Sequence, residues 1–226
     1  MIDAGRLGNI ARDRSQVYWF LSTFYTTRPD GKFLAGLAGQ LAAAAEEGAE
    51  DASGDGFELL RNVLDEPDLE ALAERLAVEY TRLFRGLGEG YGPPPPYESI
   101  YRGSHLMGEV TLAVMARYNE AGFGVIDETV GPQDHIGAEL KFMSLLCYDE
   151  IAAWDRGDRG AAVRSWERQR EFLDQHLLRW MPSYCRKIQE ESNERFYVGA
   201  ALLTEHAVVA DDEVLDDLLT TTEAVK

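Results

Sequence analysis

Four consecutive prolines at 93–96 constrain the fold of this chain more than any other stretch. A proline lacks the backbone N–H that a helix needs and its ring clashes with the preceding turn, so no helix can continue through this run. Patterns typical of long helices nevertheless lie on both sides of it. The chain must therefore hold a stiff arm between helical segments, and YESIYR (97–102) follows that arm directly.

Helical periodicity accounts for most of the remaining chain, and no alternating run is long enough to require a strand. The clearest helix is PDLEALAERLAVEYTRLFRG (67–86), in which apolar residues recur every three or four positions. A second one, at 13–26, is apolar on nearly every face and should therefore be buried. We predict an all-α fold of about 8–10 helices. Further helices are predicted at 32–46, 56–64, 104–120, 133–156, 158–178 and 181–208, the last interrupted near 191–194.

The glycine- and proline-rich loop at 86–98 is the natural boundary within the chain. We expect a single helical domain over 1–210, with halves at roughly 1–85 and 99–210. The acidic residues 211–226 are predicted to form a frayed tail. Because helical halves joined by a long loop can exchange between chains, either a monomer or a domain-swapped homodimer is expected.

The charge balance indicates which partners suit the protein. Its 40 acidic and 22 basic residues give a formal net charge of -18. Such a field repels phosphate backbones and attracts cationic peptides or proteins, so we expect no nucleic-acid partner. Solubility or adaptation to salt would explain the same charge equally well.

Composition also bears on the compartment. Only two cysteines are present, far apart in sequence, which is typical of proteins in a reducing compartment. The N-terminal residues lack the pattern of a secretory signal, and no apolar run approaches the ~20 residues of a membrane span. We therefore expect a cytoplasmic protein without stable membrane insertion.

Enzyme signatures are missing from the sequence. It has no G-x-S-x-G elbow, no phosphate-binding loop and no cysteine–histidine cluster, so no catalytic residue and no cofactor are predicted. Two His-x-x-x-Glu pairs, His105/Glu109 and His135/Glu139, would place both side chains on one helix face if helical. A helical metalloprotein that uses these pairs is therefore the alternative hypothesis.

The stretch at 133–156 carries the most informative helix pattern. Its apolar positions form one stripe, and His135 and Glu139 lie to one side of that stripe, where half-burial is expected. Asp134, at the predicted helix start, suits a capping role. A cap and a local pair would explain these polar residues without any binding function.

Four motifs together resemble the TorD/DmsD/NarJ family of redox-enzyme maturation chaperones. EYTRLFRG (79–86) is similar to that family's aromatic helix end, and PPPPYESIYR (93–102) to its proline-rich segment. PQDHIGAELKFM (132–143) is similar to its Pro-x-Asp-His motif, and FLDQHLLRWMPSYCRKI (172–188) to a later helix. The order and spacing also fit, so the resemblance covers roughly residues 13–205.

The resemblance implies an all-α cytoplasmic chaperone that is not itself an enzyme. Such chaperones bind the twin-arginine signal peptide and the apo form of a molybdopterin-containing oxidoreductase. They delay its export until the cofactor is inserted. Weak guanine-nucleotide binding has been associated with some members.

A twin-arginine leader presents guanidinium groups followed by an apolar segment, so its binder needs carboxylates beside an apolar groove. We expect the proline arm to present Tyr97 and Glu98 next to the start of the 133–156 helix. The alternatives are that the arm is a plain linker and that Tyr80, Leu83 and Phe84 are ordinary core residues. The predicted peptide-binding residues are Tyr80, Leu83, Phe84, Pro96, Tyr97, Glu98, Tyr101, Asp134, His135 and Glu139.

Overall fold

The computed structural model describes residues 3–46, 48, 50–85 and 92–223, and within these ranges it is all-α, as predicted. The helices are α1 (Ala4–Thr26), α2 (Gly31–Glu46), α3 (Glu50–Leu64), α4 (Leu69–Phe84), α5 (Glu98–Tyr101), α6 (Glu109–Glu120), α7 (Ile136–Asp155), α8 (Arg159–Phe172), α9 (Leu178–Glu191) and α10 (Arg195–Glu223). A 3₁₀ turn, Glu128–Val130, precedes α7, and a π-helical segment, Leu173–Leu177, joins α8 to α9. None of the helices described combines the length and the apolar composition that crossing a bilayer requires.

The chain divides into two compact units that alternate along the sequence. Unit 1 comprises Met1–Thr23, Tyr97–Met181 and Val208–Lys226, and unit 2 comprises Phe24–Pro96 and Pro182–Ala207. The sequence had suggested consecutive halves with a boundary at 86–98. The division differs from that because α1, α9 and α10 each contribute residues to both units.

An aromatic cluster forms the core of unit 2. The Phe84 ring packs edge-to-face against Tyr25, Tyr80 and Tyr197, at centroid distances of 5.7, 5.1 and 5.3 Å. The Tyr80 hydroxyl donates a hydrogen bond to the Tyr25 carbonyl at 3.0 Å. Edge-to-face contacts of this kind stabilise aromatic pairs beyond their burial alone. The helix end EYTRLF is thus a core element of unit 2.

A glycine pair allows α3 to approach the start of α10 closely within unit 2. A Cβ atom on Gly56 would lie 2.5 Å from the Leu203 amide nitrogen and 2.8 Å from the Gly199 carbonyl oxygen. A Cβ on Gly199 would lie 2.9 Å from Leu60 Cγ. Any larger side chain at either position would force the two helices apart.

The first helix is longer and less buried than its pattern predicted. It begins at Ala4, although the sequence indicated a start near residue 13. Val17 and Trp19 are exposed, although Leu21 is buried. The expectation of burial on all sides was wrong because α1 packs through only part of its surface. Trp19 is partly covered in another way, since Lys141 Nζ lies 5.5 Å from its ring centroid.

The acidic C-terminal segment is helical where the structure describes it. A frayed tail was predicted from residue 211, but α10 continues to Glu223. Leu215 and Leu218 are buried on its inner face. Asp211 is also buried and accepts a hydrogen bond from the Tyr18 hydroxyl at 2.7 Å. The many acidic residues of this segment obscured the helical spacing of its apolar residues in the sequence.

A buried arginine holds four helices of unit 1 together. Arg14 on α1 donates to both carboxylate oxygens of Asp211 on α10, and its NH1 donates to Glu150 Oε2 on α7 at 3.1 Å. Its NH2 donates to Gln169 Oε1 on α8 at 2.5 Å. Glu150 also accepts the Trp166 indole N–H at 2.6 Å. The guanidinium charge is therefore paired at each point, as a buried ion must be.

We expect the substitution Arg14→Gln to lower the free energy of unfolding by about 3 kcal/mol or more, because Asp211 and Glu150 would stay buried without their counter-charge. The matched control is Arg12→Gln, two residues away on the same helix, since Arg12 is exposed and among the described residues donates to Asn9. Its expected effect is below about 0.5 kcal/mol. Urea unfolding followed by circular dichroism measures both, and equal losses would contradict a role for the buried network.

Candidate functional site

The residue after the proline arm pairs with the residue before α7. Tyr97 and His135 form an isolated antiparallel bridge, and their rings meet edge-to-face at 5.2 Å. The Glu98 amide donates to the Asp134 carbonyl at 2.8 Å, and the Tyr97 hydroxyl donates to the Val130 carbonyl at 2.8 Å. The predicted position of Tyr97 and Glu98 beside the start of this helix is confirmed.

Asp134 caps α5, and the prediction that it caps α7 was wrong. Its Oδ2 accepts the Ser99 amide at 2.9 Å and its Oδ1 accepts the Thr111 hydroxyl at 2.9 Å. The N-cap of α7 is His135, whose Nδ1 accepts the Gly137 amide at 3.0 Å. The reason is that α5 brings unpaired N–H groups against the turn, where the Asp134 carboxylate accepts that of Ser99 and the Asp134 carbonyl accepts that of Glu98.

Hydrogen bonds made by Gln133 and Tyr118 fix the turn that carries Asp134. Gln133 Nε2 donates to the Asp127 and Gly131 carbonyls at 2.9 and 2.8 Å, and its Oε1 accepts the Ile126 amide at 2.8 Å. The Tyr118 hydroxyl donates to the Gln133 carbonyl at 2.9 Å. The Asp127 amide also donates to Oε1, at 3.2 Å, so this one side chain binds four backbone groups of its own loop and makes the turn rigid.

Glu98 is fully buried but linked to the surface. Its Oε2 lies 2.9 Å from His176 Nδ1, and its Oε1 accepts a hydrogen bond from Arg102. Arg102 NH1 also donates to the Gln175 carbonyl at 3.2 Å. The Arg102 side chain is 37% exposed, whereas that of Glu98 is 0% exposed. An arginine therefore connects solvent to a buried carboxylate.

Glu139 lies beside Glu98 and completes a carboxyl cluster, which we define as Glu98, Asp134 and Glu139. Its Oε2 accepts the Trp180 indole N–H at 3.1 Å. No donor among the described residues reaches its Oε1. Burial, and then the nearby charge of Glu98, raise the pKa of Glu139 well above its ordinary value of 4.5.

The π-helical segment before α9 provides a residue that contacts the carboxyl cluster. It includes His176, and Trp180 follows one turn later. The His176 ring stacks on Phe172 at 5.0 Å while its Nδ1 meets Glu98. Trp180 contacts Glu139 through its N–H and lies 5.5 Å from the Tyr101 ring. π-Helical turns of this kind are frequent at functional sites in proteins.

The predicted peptide-binding residues fall into two groups. Tyr97, Glu98, Tyr101, Asp134, His135 and Glu139 come together in unit 1, with His135 and Glu139 more buried than the half-burial expected. Tyr80, Leu83, Phe84 and Pro96 belong to unit 2, where all four are buried. The predicted linker at 86–98 is described only from residue 92 onward.

Neither His-x-x-x-Glu pair has the geometry that the metalloprotein hypothesis requires. His105 precedes α6 and Glu109 is its first residue, and both are exposed. His135 lies outside α7 in an extended conformation and uses Nδ1 as a cap. Within the described ranges, no group of three or more potential ligands could hold a metal ion.

No role was predicted for four residues that contact the carboxyl cluster: Arg102, Thr111, His176 and Trp180. A signal for two of them was present, since HLLRW (176–180) places His176 and Trp180 four residues apart in an apolar stretch. Arg102 follows Glu98 by four residues, a spacing typical of helical ion pairs. Thr111 left no comparable signal, because its partner Asp134 lies in another segment.

The raised pKa of Glu139 predicts a pH-dependent stability. A carboxyl that stays protonated above 4.5 in the folded state stabilises the fold fully below that pH, and this contribution is lost as the pH rises through its raised pKa. We expect the unfolding free energy to fall by up to about 1.4 kcal/mol per pH unit over part of this range. Glu139→Gln, which is neutral throughout, should flatten the profile.

Urea unfolding at a series of pH values above 4.5 measures this effect. Glu167→Gln on the exposed face of α8 is the matched control, and it should keep the wild-type slope. An unchanged slope in Glu139→Gln would show that Glu139 ionises normally.

Comparison with known proteins relates this geometry to a family. The family described as "Nitrate reductase delta subunit" matches residues 46–186. "Chaperone protein TorD" of Vibrio cholerae is 24% identical over 219 residues, which cover 91% of this chain and 93% of that protein. The namesake from Shewanella loihica is 25% identical over 211 residues, covering 89% and 92%. The "Selenate reductase assembly chaperone protein" of Thauera selenatis is 28% identical over 129 residues, covering 57% and 65%.

The family match spans more than half of the 226 residues and includes α3 to α8 together with the whole carboxyl cluster. The resemblance seen in the four sequence motifs is therefore confirmed. The chain belongs to the nitrate reductase delta subunit family, the TorD/DmsD/NarJ family that its motifs resemble.

Proposed function

We propose that this protein is a maturation chaperone, without catalytic activity of its own, for an exported molybdopterin-containing oxidoreductase. It binds the client's catalytic subunit in the apo form together with its twin-arginine signal peptide. Binding in the cytoplasm delays export until the cofactor is inserted. The names of the relatives, two TorD chaperones and a selenate reductase assembly chaperone, support the chaperone role.

The observation that carries the proposal is the junction, within unit 1, of residues 97–101 with the start of α7. There, aromatic side chains and buried carboxylates lie side by side, which are the two chemistries that an arginine-containing apolar leader needs. Tyr97 and Tyr101 are half-buried, so each keeps part of its ring available to a ligand. They are the proposed contacts for the apolar part of the leader.

The carboxylates of this junction have separate proposed roles. Asp134 is fully buried, and both of its oxygens are engaged, so it positions the arm and does not pair directly with a ligand arginine. Glu98 is the carboxylate reached from solvent, through Arg102, and it provides the negative charge of the site. His135 orients Tyr97. Tyr80, Leu83 and Phe84 are left out of the proposed site because they are core residues of unit 2.

The net charge of -18 supports the same function through long-range attraction. An acidic protein increases the encounter rate with a cationic peptide, and the increase is smaller at high salt. Arginine gains more than lysine from a pair of carboxylates, because its planar fork can donate two parallel hydrogen bonds.

Calorimetric titration with a synthetic twin-arginine leader tests the proposal. We expect saturable binding that weakens roughly tenfold when both arginines of the peptide become lysines. Tyr97→Ala should also weaken binding about tenfold, because an aromatic contact is lost.

The matched control is Tyr148→Ala, since this α7 tyrosine is 64% exposed and lies outside the carboxyl cluster. Its binding should equal that of the wild type. Absence of binding to the leader by the wild-type protein would refute the proposed function. Equal losses in Tyr97→Ala and Tyr148→Ala would move the site away from the arm.

A further inference from the structure

Arg102 lies across the entrance to the carboxyl cluster. It belongs to the segment that follows α5, and its NH1 donates to Glu98 Oε1 and to the Gln175 carbonyl. Because the Arg102 side chain is 37% exposed and the Glu98 side chain is 0% exposed, the guanidinium covers the carboxylate from the solvent side. A guanidinium from outside can therefore reach Glu98 along the path that Arg102 already occupies.

The contact that Arg102 makes leaves hydrogen-bonding capacity unused on both sides. A guanidinium has five N–H donors, and both bonds of Arg102 come from one terminal nitrogen. Across the cluster, Glu139 Oε1 is buried without a donor among the described residues. A buried acceptor without a donor is unfavourable, so a ligand that supplied the missing donor would bind more tightly.

The position of Arg102 explains why it does not supply that donor. It follows Glu98 by four residues on the same short helical turn, so its guanidinium approaches the near side of the Glu98 carboxyl. Glu139 belongs to a different helix, α7, and its other oxygen accepts the Trp180 indole N–H. A guanidinium that entered from a separate chain would be free of this restraint and could donate to both carboxyls with its two parallel edges.

We infer that Glu98 and Glu139 form a subsite for one arginine of the leader, and that Arg102 occupies this subsite when no client is bound. The inference rests on the proposed function and adds the identity of the arginine-binding residues and an internal competitor. Arg102 keeps Glu98 satisfied in the free protein. Client binding replaces a contact from one nitrogen with a bridge between two carboxyls.

Internal competition has a measurable consequence. If the subsite is filled by Arg102 most of the time, the apparent affinity for the leader is lowered by the fraction of molecules in which the subsite is open. Removal of the competitor must therefore tighten binding. A residue that merely supports the fold, or that contacts the leader directly, would have the opposite effect.

Calorimetry of Arg102→Gln with the same synthetic leader tests the inference. We expect binding roughly fivefold to tenfold tighter than in the wild type, since a charge-assisted hydrogen bond no longer has to be displaced. The gain should disappear with a leader in which the arginines are replaced by glutamine, because that peptide cannot use the vacated subsite. Unchanged or weaker binding of the arginine leader would overturn the inference.

Arg117→Gln is the matched control for charge. Arg117 also contacts Gln175, through Oε1 at 2.8 Å, and pairs with Glu120 and Glu171, which are not members of the carboxyl cluster. Its loss changes the net charge by the same amount, so it should alter the affinity less than about twofold. Equal tightening in Arg102→Gln and Arg117→Gln would mean general attraction of a cationic peptide, and the inference would fail.

Two further outcomes separate the possible failures. If the wild-type protein does not bind the leader, the proposed function fails and the inference falls with it. If the wild type binds and Arg102→Gln binds no tighter, only the inference fails. Circular dichroism checks that Arg102→Gln folds. If it does not, the affinity of Arg102→Lys for the leader is measured in its place. The lysine keeps the charge but lacks the fork, so a smaller tightening is expected and none would overturn the inference.

Discussion

The pairing of the segment after the prolines with the turn before α7 is the interaction on which the candidate site depends. Asp134 accepts most of the hydrogen bonds in this pairing. Its carbonyl and both carboxylate oxygens accept from Glu98, Ser99 and Thr111. Each such bond contributes only about 1 kcal/mol, but a buried donor left without an acceptor costs more. Tyr97 and Glu98 are therefore held in one place without an extensive apolar contact.

The sequence predicted the all-α class, the course of most helices and the position of Tyr97 and Glu98 beside the start of α7, because these depend on periodicity, on proline chemistry and on motif order. It did not predict which partner each polar side chain finds. Asp134 looked like the cap of the helix that follows it, and only the fold shows that it serves a helix 35 residues earlier. Val17 and Trp19 are exposed for the same kind of reason, since burial depends on which neighbours reach a face.

Buried carboxylates in this protein are usually paired with donors. Glu150 has Arg14 and Trp166, and Glu79 in unit 2 has Arg82 and the Asn193 amide. Glu139 differs because the Trp180 indole is its only donor among the described residues, and burial beside Glu98 raises its pKa. Proteins of marginal stability tolerate few such groups, and those they keep are frequently at sites with a function.

The alternation of the two units along the chain has a consequence during synthesis. Unit 2 lacks its second segment until Pro182–Ala207 has been made, and unit 1 needs the residues from Val208 onward as well as its first segment. Arg14 of α1 can therefore meet Asp211 only after all the residues between them have been synthesised. Contacts between such distant parts of a chain form slowly. A chain that ends before Pro182 lacks part of both units, and one that ends at Ala207 still lacks part of unit 1, so this protein should itself need time, or protection, before it can act.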